Sequence, residues 1–426
     1  MKKRYRNMKK KANGKIREIS EGGVLLELPL PVADVIESIP EVIRALSQEA
    51  GLLLMSAAMH SECERIAGPK DSKNLLRRAN WWGSDISPVY YDRQKMLIER
   101  PRLRGKDNRE IPLETYMALK NPRGMRGSVA KNMILGVSSR NYEEAIEGVM
   151  KGYGIKKSSV SRHFVQATAE QMREFLERDL SGLQFVAIFI DGIEFKGQLL
   201  VVSLGLDKMG KKHILGLWQG ATENAGVCAR LLEDMIRRGL DTGKDYLFIL
   251  DGSKALRSAI AKMFGADVAV QRCQQHKRRN VREHLTEEHQ ASIDARIAAA
   301  YKMTDYDEAM KSLELTVRYL ERLNPSAAAS LKEGLGETLT VHKLGVTGLL
   351  RKTVSTTNPI ESCFSVTRAI TGRVKRWRGG NMVQRWAVAS LLRAEKKFNR
   401  VKGYREIPKL ALSLQQKSLD RKEVAA

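Results

Sequence analysis

Two short apolar runs in the middle of the chain each end in an Asp-Gly pair. FVAIFI precedes Asp191-Gly192, and YLFIL precedes Asp251-Gly252. Continuous apolar runs of this length are typical of strands that are buried on both faces of a sheet. Groups that follow parallel strands collect at the carboxyl edge of the sheet. If the two strands are neighbours, the sequence therefore predicts that Asp191 and Asp251 lie side by side.

An Asp-Gly pair also has a simpler explanation, because both residues favour a turn at the end of a strand. For one site the turn is the better interpretation, but two matched copies favour a shared role for the carboxylates. Two adjacent carboxylates repel each other, and a bound divalent cation relieves that repulsion. Oxygen ligands suit Mg²⁺, with Mn²⁺ as a substitute.

The surrounding pattern predicts a mixed α/β core followed by helices. Apolar runs predict five strands, at Gln184–Ile190, Leu199–Leu206, His213–Leu217, Tyr246–Leu250 and Val268–Gln271, and helices are predicted over Glu223–Arg238 and Ser253–Phe264. Three strands followed by helix, strand, helix and strand is the order of an RNase H-like domain. Strand patterns then stop between Lys277 and about Leu350, where helices are predicted. Residues 358–400 are predicted to be helical again.

Glu361 is the third acidic candidate. Asn358 is typical of a helix N-cap, Pro359 fits the first helical position, and Glu361 lies three residues after the cap. This is also a capping box, which explains Glu361 without catalysis. Helical spacing places Glu361 on one polar side with Ser365 and Arg368, so a metal-binding role for Glu361 stays open.

The charge of the chain favours a polyanionic partner. Lys and Arg number 74 against 49 Asp and Glu, a net charge of +25. Residues 1–20, predicted to be a flexible arm, contribute +8, and residues 351–405 contribute +12. Such concentration favours contact with DNA phosphates. The candidate DNA contacts in and near the second block are Lys277, Arg278, Arg279, Arg368, Arg373, Lys375, Arg376 and Arg378.

Other classes of protein fit the sequence poorly. The longest apolar stretch, around Ala50–Met59, is far shorter than the ~20 residues of a spanning helix, so no membrane association is expected. The four cysteines form no CxxC pair, which disfavours a disulfide framework and fits the cytoplasm.

The amino-terminal part is predicted to bind DNA. Helix is expected over residues 32–66, short strands or a hairpin over 86–113, and helix again over 142–180. Within the last segment, Gly154–Phe164 resembles the second half of a helix-turn-helix, with Glu143–Met150 as its first helix. A short helix would then present Ser159, Ser161 and Arg162 to the major groove. An ordinary helical hairpin is the alternative.

Several motifs in order resemble the bacterial mutator-type transposases, prokaryotic relatives of the plant Mutator elements. They are FIDGIEFKGQLLVVSLGL, GLWQGATEN, FILDGSKALRSAI, VQRCQQHKRRN and STTNPIESCFSVTRAITGRVKRWRGGNMVQRW, and the resemblance extends from about residue 20 to residue 406. It implies an acidic catalytic triad at Asp191, Asp251 and Glu361, with a helical insertion before the glutamate. It also implies Mg²⁺-dependent cleavage and joining of DNA at terminal inverted repeats, by at least a dimer.

The same resemblance draws attention to Cys273 and His276, the family's Cys-x-x-His. One such pair supplies only two of the four usual zinc ligands, so a structural or DNA-positioning role is favoured. Trp218 and Trp386 match aromatic positions of the family. Stacking on an extruded base and simple burial both remain open for them.

Together these features predict an α-rich α+β protein in six segments. These are a basic arm and helices (1–75), an Arg-rich hairpin region (76–130), a helix-turn-helix (131–180), the first part of an RNase H-like core (181–276), a helical insertion (277–352), and the rest of the core with basic helices (353–426). The function predicted is that of an insertion-sequence transposase. The alternatives are another nuclease with the RNase H fold and a domesticated DNA-binding protein without catalysis.

Overall fold

The computed structural model describes residues 15–19, 23–27, 39–70, 72, 78–91, 94–120, 123–138, 157–195, 197–220 and 225–425. The chain divides into two units, Met1–Ala167 and Thr168–Ala426. Within the described ranges, no helix combines the length and the apolar character needed to cross a membrane.

The first described elements of this unit are two paired strands, and the first of them lies where a flexible arm was predicted. Strands β1 (Lys15–Ile19) and β2 (Gly23–Glu27) pair in antiparallel register. The expectation of a flexible arm is therefore wrong for residues 15–19, because Ile16 and Arg17 pair with Leu26 and Leu25 of β2. The rest of the predicted arm, residues 1–14 and 20, lies outside the described residues. Helix α1 (Ile39–Ala67) follows and confirms most of the helix predicted over 32–66.

The predicted hairpin is present and longer than expected. Strand β3 (Ala79–Tyr91) pairs with β4 (Gln94–Gly105), and β4 pairs with the short β5 (Glu110–Ile111). The hairpin packs on α1 through buried side chains that include Met59, Cys63, Val89, Met96 and Leu103.

Three more helices follow the hairpin: α2 (Glu114–Leu119), α3 (Arg123–Leu135) and α4 (Lys157–Glu177). The first helix of the predicted helix-turn-helix, Glu143–Met150, and its turn at Gly154 lie outside the described residues. Ser159, Ser161 and Arg162 lie in the first turns of α4, where Ser161 and Arg162 are exposed.

A five-stranded sheet is the centre of the second unit. Its strands are β6 (Phe185–Phe195), β7 (Gln198–Asp207), β8 (Lys212–Gly220), β9 (Leu247–Leu250) and β10 (Ala269–Arg272), in the order β10-β9-β6-β7-β8. β7 is antiparallel to both β6 and β8, whereas β6, β9 and β10 are parallel. Helices α5 (Ala225–Arg237) and α6 (Lys254–Phe264) precede β9 and β10. The predicted element order is confirmed.

The rest of the unit is helical. Residues 274–354, all of them described, contain α7 (Gln274–Glu283), α8 (Glu287–Lys302), α9 (Tyr306–Leu323), α10 (Pro325–Lys332), a 3₁₀ turn (Gly336–Leu339), α11 (Thr340–Lys343) and α12 (Gly348–Val354). The predicted absence of strands there is confirmed. After them come α13 (Asn358–Thr371), α14 (Gly379–Glu395), a 3₁₀ turn (Tyr404–Glu406) and α15 (Ile407–Ala425).

The helix predicted across residues 358–400 is interrupted at residues 372–378. Gly372 follows the last residue of α13, and the closely spaced positive charges after it disfavour a continuous helix. We call residues 372–378 the basic linker.

Both faces of the sheet are buried, which explains why its strands are almost continuously apolar. Ile188 and Ile190 of β6 pack on the face that contacts α5 and α6. Phe189 and Ile193 lie in the core that includes α13 and α14. Side chains alternate between the two faces along a strand, so Asp191, midway between Phe189 and Ile193, lies on the face that contacts α13 and α14.

Gly403 holds a turn that no other residue fits, and its replacement should destabilise the protein. Its φ is +78°, and an added Cβ would lie 2.2 Å from the backbone nitrogen of Leu350. A left-handed conformation costs a non-glycine residue about 1–2 kcal/mol, and a clash in a packed region adds about 1–3 kcal/mol. We expect Gly403→Ala to lower the free energy of unfolding by about 3 kcal/mol in a urea titration.

Gly345→Ala is the matched control for that measurement. Its φ is +64°, but no described atom lies within 4 Å of the position of an added Cβ. Only the conformational cost of about 1–2 kcal/mol then applies. If both variants lower the free energy of unfolding by the same amount, the backbone clash at residue 403 does not contribute to the loss.

Candidate active site

Asp191 and Asp251 follow neighbouring positions on adjacent strands. The last registered pair between the parallel strands β6 and β9 is Ile190 with Leu250, and each aspartate is the next residue. Adjacent strands lie about 4.8 Å apart, so the two carboxylates start from backbones at that separation. The predicted neighbourhood of the two strands is therefore present at this edge of the sheet.

The two Asp-Gly pairs have different local structures. β6 continues through Asp191, and Gly192 pairs with Val201 of β7, so the explanation of a turn is wrong at the first site. At the second site β9 ends at Leu250, and Gly252 has a φ of +118°. Asp251 accepts a hydrogen bond from the Ser253 backbone nitrogen at 3.0 Å, which holds the carboxylate at the start of α6.

Asp191 is an unusual carboxylate because it is buried among other acids. Its exposed fraction is 8%, and its Oδ1 accepts a hydrogen bond of 2.8 Å from the Gly192 backbone nitrogen. Burial raises the pKa of Asp191 to about 7, and the charges of Asp251 and Glu361 add to the increase. The two other acids of the predicted triad thus both act electrostatically on Asp191.

Glu361 lies in the first turn of α13, with a helix start that differs from the prediction. Asn358 is the first helical residue and Thr357 is the N-cap. The Thr357 carbonyl accepts hydrogen bonds from the backbone nitrogens of Ile360 and Glu361, both at 3.0 Å. The cap therefore lies one residue earlier than predicted, because buried contacts hold Thr357 in place outside the helix.

Those contacts form a hydrogen-bonded network between the end of β10 and the start of α13. Thr357 is fully buried, and its backbone nitrogen and Oγ1 each lie 3.4 Å from the Cys273 Sγ. Its Oγ1 lies 3.3 Å from the His276 Nδ1 and 3.2 Å from the Glu361 Oε1. The His276 Nε2 lies 3.4 Å from the same Glu361 oxygen. We call these four residues the Cys-His-Thr-Glu network.

The charge state of His276 fits this geometry. Its hydrogen bond with Cys273 and the nearby charges of Cys273, Asp191 and Glu361 raise the pKa of His276 to about 9, although burial opposes the increase. A protonated imidazole donates from both ring nitrogens. Nδ1 then donates to Thr357 and Nε2 donates to Glu361, so the ring orients the carboxylate.

Cys273 completes the network as an acceptor. Burial acts to raise the pKa of its thiol, but hydrogen bonds from His276 and Thr357 outweigh burial and lower the pKa below its ordinary value. Its backbone nitrogen donates to the Leu250 carbonyl at 2.7 Å, which places Cys273 beside the end of β9. The network therefore connects Glu361 to the strand that leads to Asp251.

The donor atoms fit a divalent cation that prefers oxygen. Asp191, Asp251 and Glu361 offer carboxylate oxygens. Burial is the main reason that the pKa of Asp191 is raised, and a bound cation would relieve the repulsion that Asp251 and Glu361 add. Among the described residues, no three His, Cys, Asp or Glu side chains converge tightly enough to form a ready-made metal site. Cys273 and His276 contact Thr357 and Glu361, and the structural or DNA-positioning role favoured for them stays a prediction.

Comparison with known proteins identifies the family of the chain. The family model described as transposase, Mutator family, matches residues 33–399, which is most of the chain.

The chain belongs to the Mutator family of transposases.

Individual relatives are described as transposases of insertion sequence elements. The chain is 31% identical over 243 residues to the transposase for insertion sequence element IS6120 of Mycolicibacterium smegmatis, covering 55% of this chain and 73% of that one. It is 24% identical over 347 residues to the transposase for insertion sequence element ISRM5 of Rhizobium meliloti (strain 1021), covering 78% of this chain and 80% of that one.

In this Mutator-family transposase, the basic linker contacts the end of the strand that carries Asp191. Trp377 of the linker is in ring contact with Phe195 at 6.3 Å, and Phe195 ends the strand that carries Asp191. The predicted DNA contacts on the linker are all exposed; they are Arg373, Lys375, Arg376 and Arg378. Arg368, near the end of α13, is exposed as well.

The predicted contacts on α7 divide into three cases. Lys277 is 4% exposed and donates to the carbonyls of Ser330 and Glu333, at 2.5 Å and 2.7 Å. A DNA contact by Lys277 does not fit this position, because helical periodicity turns it towards α10. Arg278 forms an ion pair with Asp294, and Arg279 is exposed.

Neither predicted aromatic residue presents an open ring. Trp218 is half-buried against the core that includes α5 and α6, and Trp386 is 8% exposed. Trp386 is in edge contact with Trp377, with ring centroids 6.4 Å apart. Burial thus describes both better than stacking on a base.

Two residues of the site were missed from the sequence. Thr357 is the centre of the network, and the run Thr356-Thr357 before Asn358 was the available signal. Arg272 is 7% exposed and donates to the carbonyls of Gly252 and Glu333, at 2.9 Å and 3.0 Å. It thereby fixes the turn after Asp251, and its position directly before Cys273 was the only hint.

Proposed function

We propose that this chain is the transposase of an insertion sequence and that it cuts and joins DNA with an Asp191, Asp251 and Glu361 triad. The proposal treats the sheet as an RNase H-like core with a helical insertion at 277–352. The observation that carries it is the β6–β9 register, which brings Asp191 beside Asp251. The electrostatic effect of Glu361 on Asp191 adds the third acid.

The three acids would hold Mg²⁺, or Mn²⁺ in its place, in a two-metal site. When bound, the metal supplies activation of the attacking oxygen and stabilisation of the leaving 3′ oxygen. Asp191, buried on the sheet, and Asp251, at the start of α6, contribute oxygen ligands from a rigid edge. Glu361 closes the site from α13, with its orientation set by His276 and Thr357.

The reaction needs no covalent enzyme–DNA intermediate. A water molecule first attacks a phosphodiester at the end of the element and frees a 3′-hydroxyl. That hydroxyl then attacks a second strand, so one P–O bond forms as another breaks. The two steps use the same three carboxylates.

Binding of DNA would rest on the exposed cations and the amino-terminal unit. Each phosphate neutralised by the basic linker releases counterions, which favours binding at low salt. Ser159, Ser161 and Arg162 would contact the terminal inverted repeats. Because two ends must be paired, the active form is at least a dimer.

A plasmid carrying the coding sequence with its natural flanking DNA tests this function. We expect the purified chain to nick the element ends and join them to target DNA with Mg²⁺ or Mn²⁺, and to bind without cleavage in EDTA. Cleavage of structured DNA without joining would indicate a different nuclease. Sequence-specific binding without cleavage in Mg²⁺ would indicate a non-catalytic relative.

A further inference from the structure

A cavity lined by carboxamides lies at the same edge of the sheet as the acids. It has a volume of about 530 Å³ and is lined by Gln198, Gln219, Gly220, Gly380, Asn381 and Gln384. Three elements contribute to it: the start of β7, the end of β8 and the first turns of α14. No charged or aromatic side chain is among the described residues that line it.

Strand register fixes the relation of this cavity to Asp191. Gln219 pairs with Leu200, which pairs with Ile193, two residues beyond Asp191 on β6. Leu200, Leu217 and Ile193 all lie in the core of α13 and α14, so Gln219 shares the face of Asp191. Two strand spacings of roughly 10 Å and an offset of about 7 Å for two residues along the strand separate the backbones of Gln219 and Asp191 by roughly 12 Å, or between three and four nucleotide steps of 3.4 Å each.

The carboxamides are arranged so that hydrogen-bonding capacity remains. Gln219 donates to the Gln198 Oε1, while the buried Oε1 of Gln219 has no partner among the described residues. A Cβ at Gly380 would lie 2.5 Å from the Gln219 Nε2, so glycine there is needed for the carboxamide to keep its place. Unsatisfied buried acceptors are rare and call for a ligand or water.

The chemistry of the lining selects the part of DNA that fits. A phosphate would require cations, and these lie outside the cavity, on the basic linker. A nucleobase is uncharged and carries donors and acceptors at its edge. Gln and Asn carboxamides match the donor–acceptor pair of adenine in a bidentate manner.

We propose that this cavity binds a nucleobase of the DNA strand beside the active site, with a preference for adenine. The proposal rests on the proposed function for the identity of the ligand as DNA. The base enters the carboxamide cavity while its neighbouring phosphates lie along the basic linker. Recognition is by hydrogen bonds to the base edge.

Fluorescence anisotropy of the full chain tests this site with labelled single-stranded oligo(dA) and oligo(dC) of equal length at one salt concentration. We expect the wild type to bind oligo(dA) about tenfold more tightly. The double variant Asn381→Leu, Gln384→Met should bring the ratio to about one while leaving the affinity for oligo(dC) unchanged. Gly380→Ala should lower the ratio in the same direction by displacing Gln219.

Asn399→Leu is the matched control, because Asn399 is exposed in the same unit and does not line the cavity. It should keep the full preference. Equal binding of the two oligonucleotides by the wild type, equal loss of both in the double variant, or no binding to either would overturn the proposal. If the chain carries out strand transfer on the plasmid but binds oligo(dA) and oligo(dC) equally, the nucleobase site is contradicted and the proposed function stands. If it prefers oligo(dA) but does not cleave the plasmid, the enzymatic function is contradicted and the nucleobase site stands.

Discussion

Replacement of Asp191 with Asn is expected to reduce strand cleavage and strand transfer by roughly 10³-fold. A metal ion contributes several kcal/mol of transition-state stabilisation, and each 1.4 kcal/mol changes the rate tenfold. Asn keeps the shape of the side chain but removes the negative charge. The basic linker is untouched, so the affinity for DNA should stay within about twofold, measured by anisotropy beside the cleavage assay.

The same substitution should stabilise the protein when no divalent ion is present. The folded pKa of Asp191 is raised from 3.8 to about 7, so ionisation opposes folding. The stability is highest below the unfolded pKa and decreases as pH rises through 7, where the folded protein must lose the proton. Since one pKa unit is about 1.4 kcal/mol, we expect Asp191→Asn to gain at least about 1 kcal/mol at pH 8 in EDTA.

Asp307→Asn is the control for both measurements, since Asp307 is exposed on α9. It should change neither activity nor stability appreciably. If Asp191→Asn has a lower free energy of unfolding than the wild type at pH 8 in EDTA, the burial argument is contradicted.

Replacement of His276 with Ala is the second large expected effect. His276 reaches Glu361 through Nε2 at 3.4 Å and Thr357 through Nδ1 at 3.3 Å. Partners that orient metal ligands typically contribute 10–100-fold in activity or metal affinity. We expect His276→Ala to lower strand transfer by that factor and to raise the Mg²⁺ concentration needed for half of its maximal rate.

A conservative variant separates positioning from a general loss of structure. Gln places an amide donor close to the position of Nε2, so His276→Gln should recover much of the activity and of the Mg²⁺ dependence. Gln275→Ala, an exposed neighbour on α7, should behave as the wild type. If His276→Ala keeps the wild-type Mg²⁺ dependence, His276 does not position Glu361.

The strands of the sheet could be predicted because each is buried on both faces and therefore leaves an unbroken apolar run. The two Asp-Gly pairs could not be distinguished in this way. Turn chemistry is the same at both, and only the pairing of Gly192 with Val201 across the sheet keeps Asp191 inside its strand. Local preference was overruled by a cross-strand partner whose register the sequence does not reveal.

The network around Glu361 was hidden for a related reason. Cys273 and Thr357 are 84 residues apart in the chain and meet only because β10 ends beside the start of α13. A Cys-x-x-His pair on its own suggests metal ligands as readily as hydrogen bonds. The basic residues 277–279 after His276 were equally ambiguous. Their charge predicts contact with DNA, but the helix that contains them buries Lys277.

Asp251→Cys tests the central claim most directly, because it asks whether this side chain contacts the metal during catalysis. A thiolate is a poor ligand for Mg²⁺ and is better tolerated by Mn²⁺. In the plasmid assay we predict no strand transfer by Asp251→Cys with Mg²⁺, and at least a tenfold recovery with Mn²⁺, whereas Asp251→Ala is inactive with either ion. Wild-type strand transfer by Asp251→Ala with either ion would contradict the account.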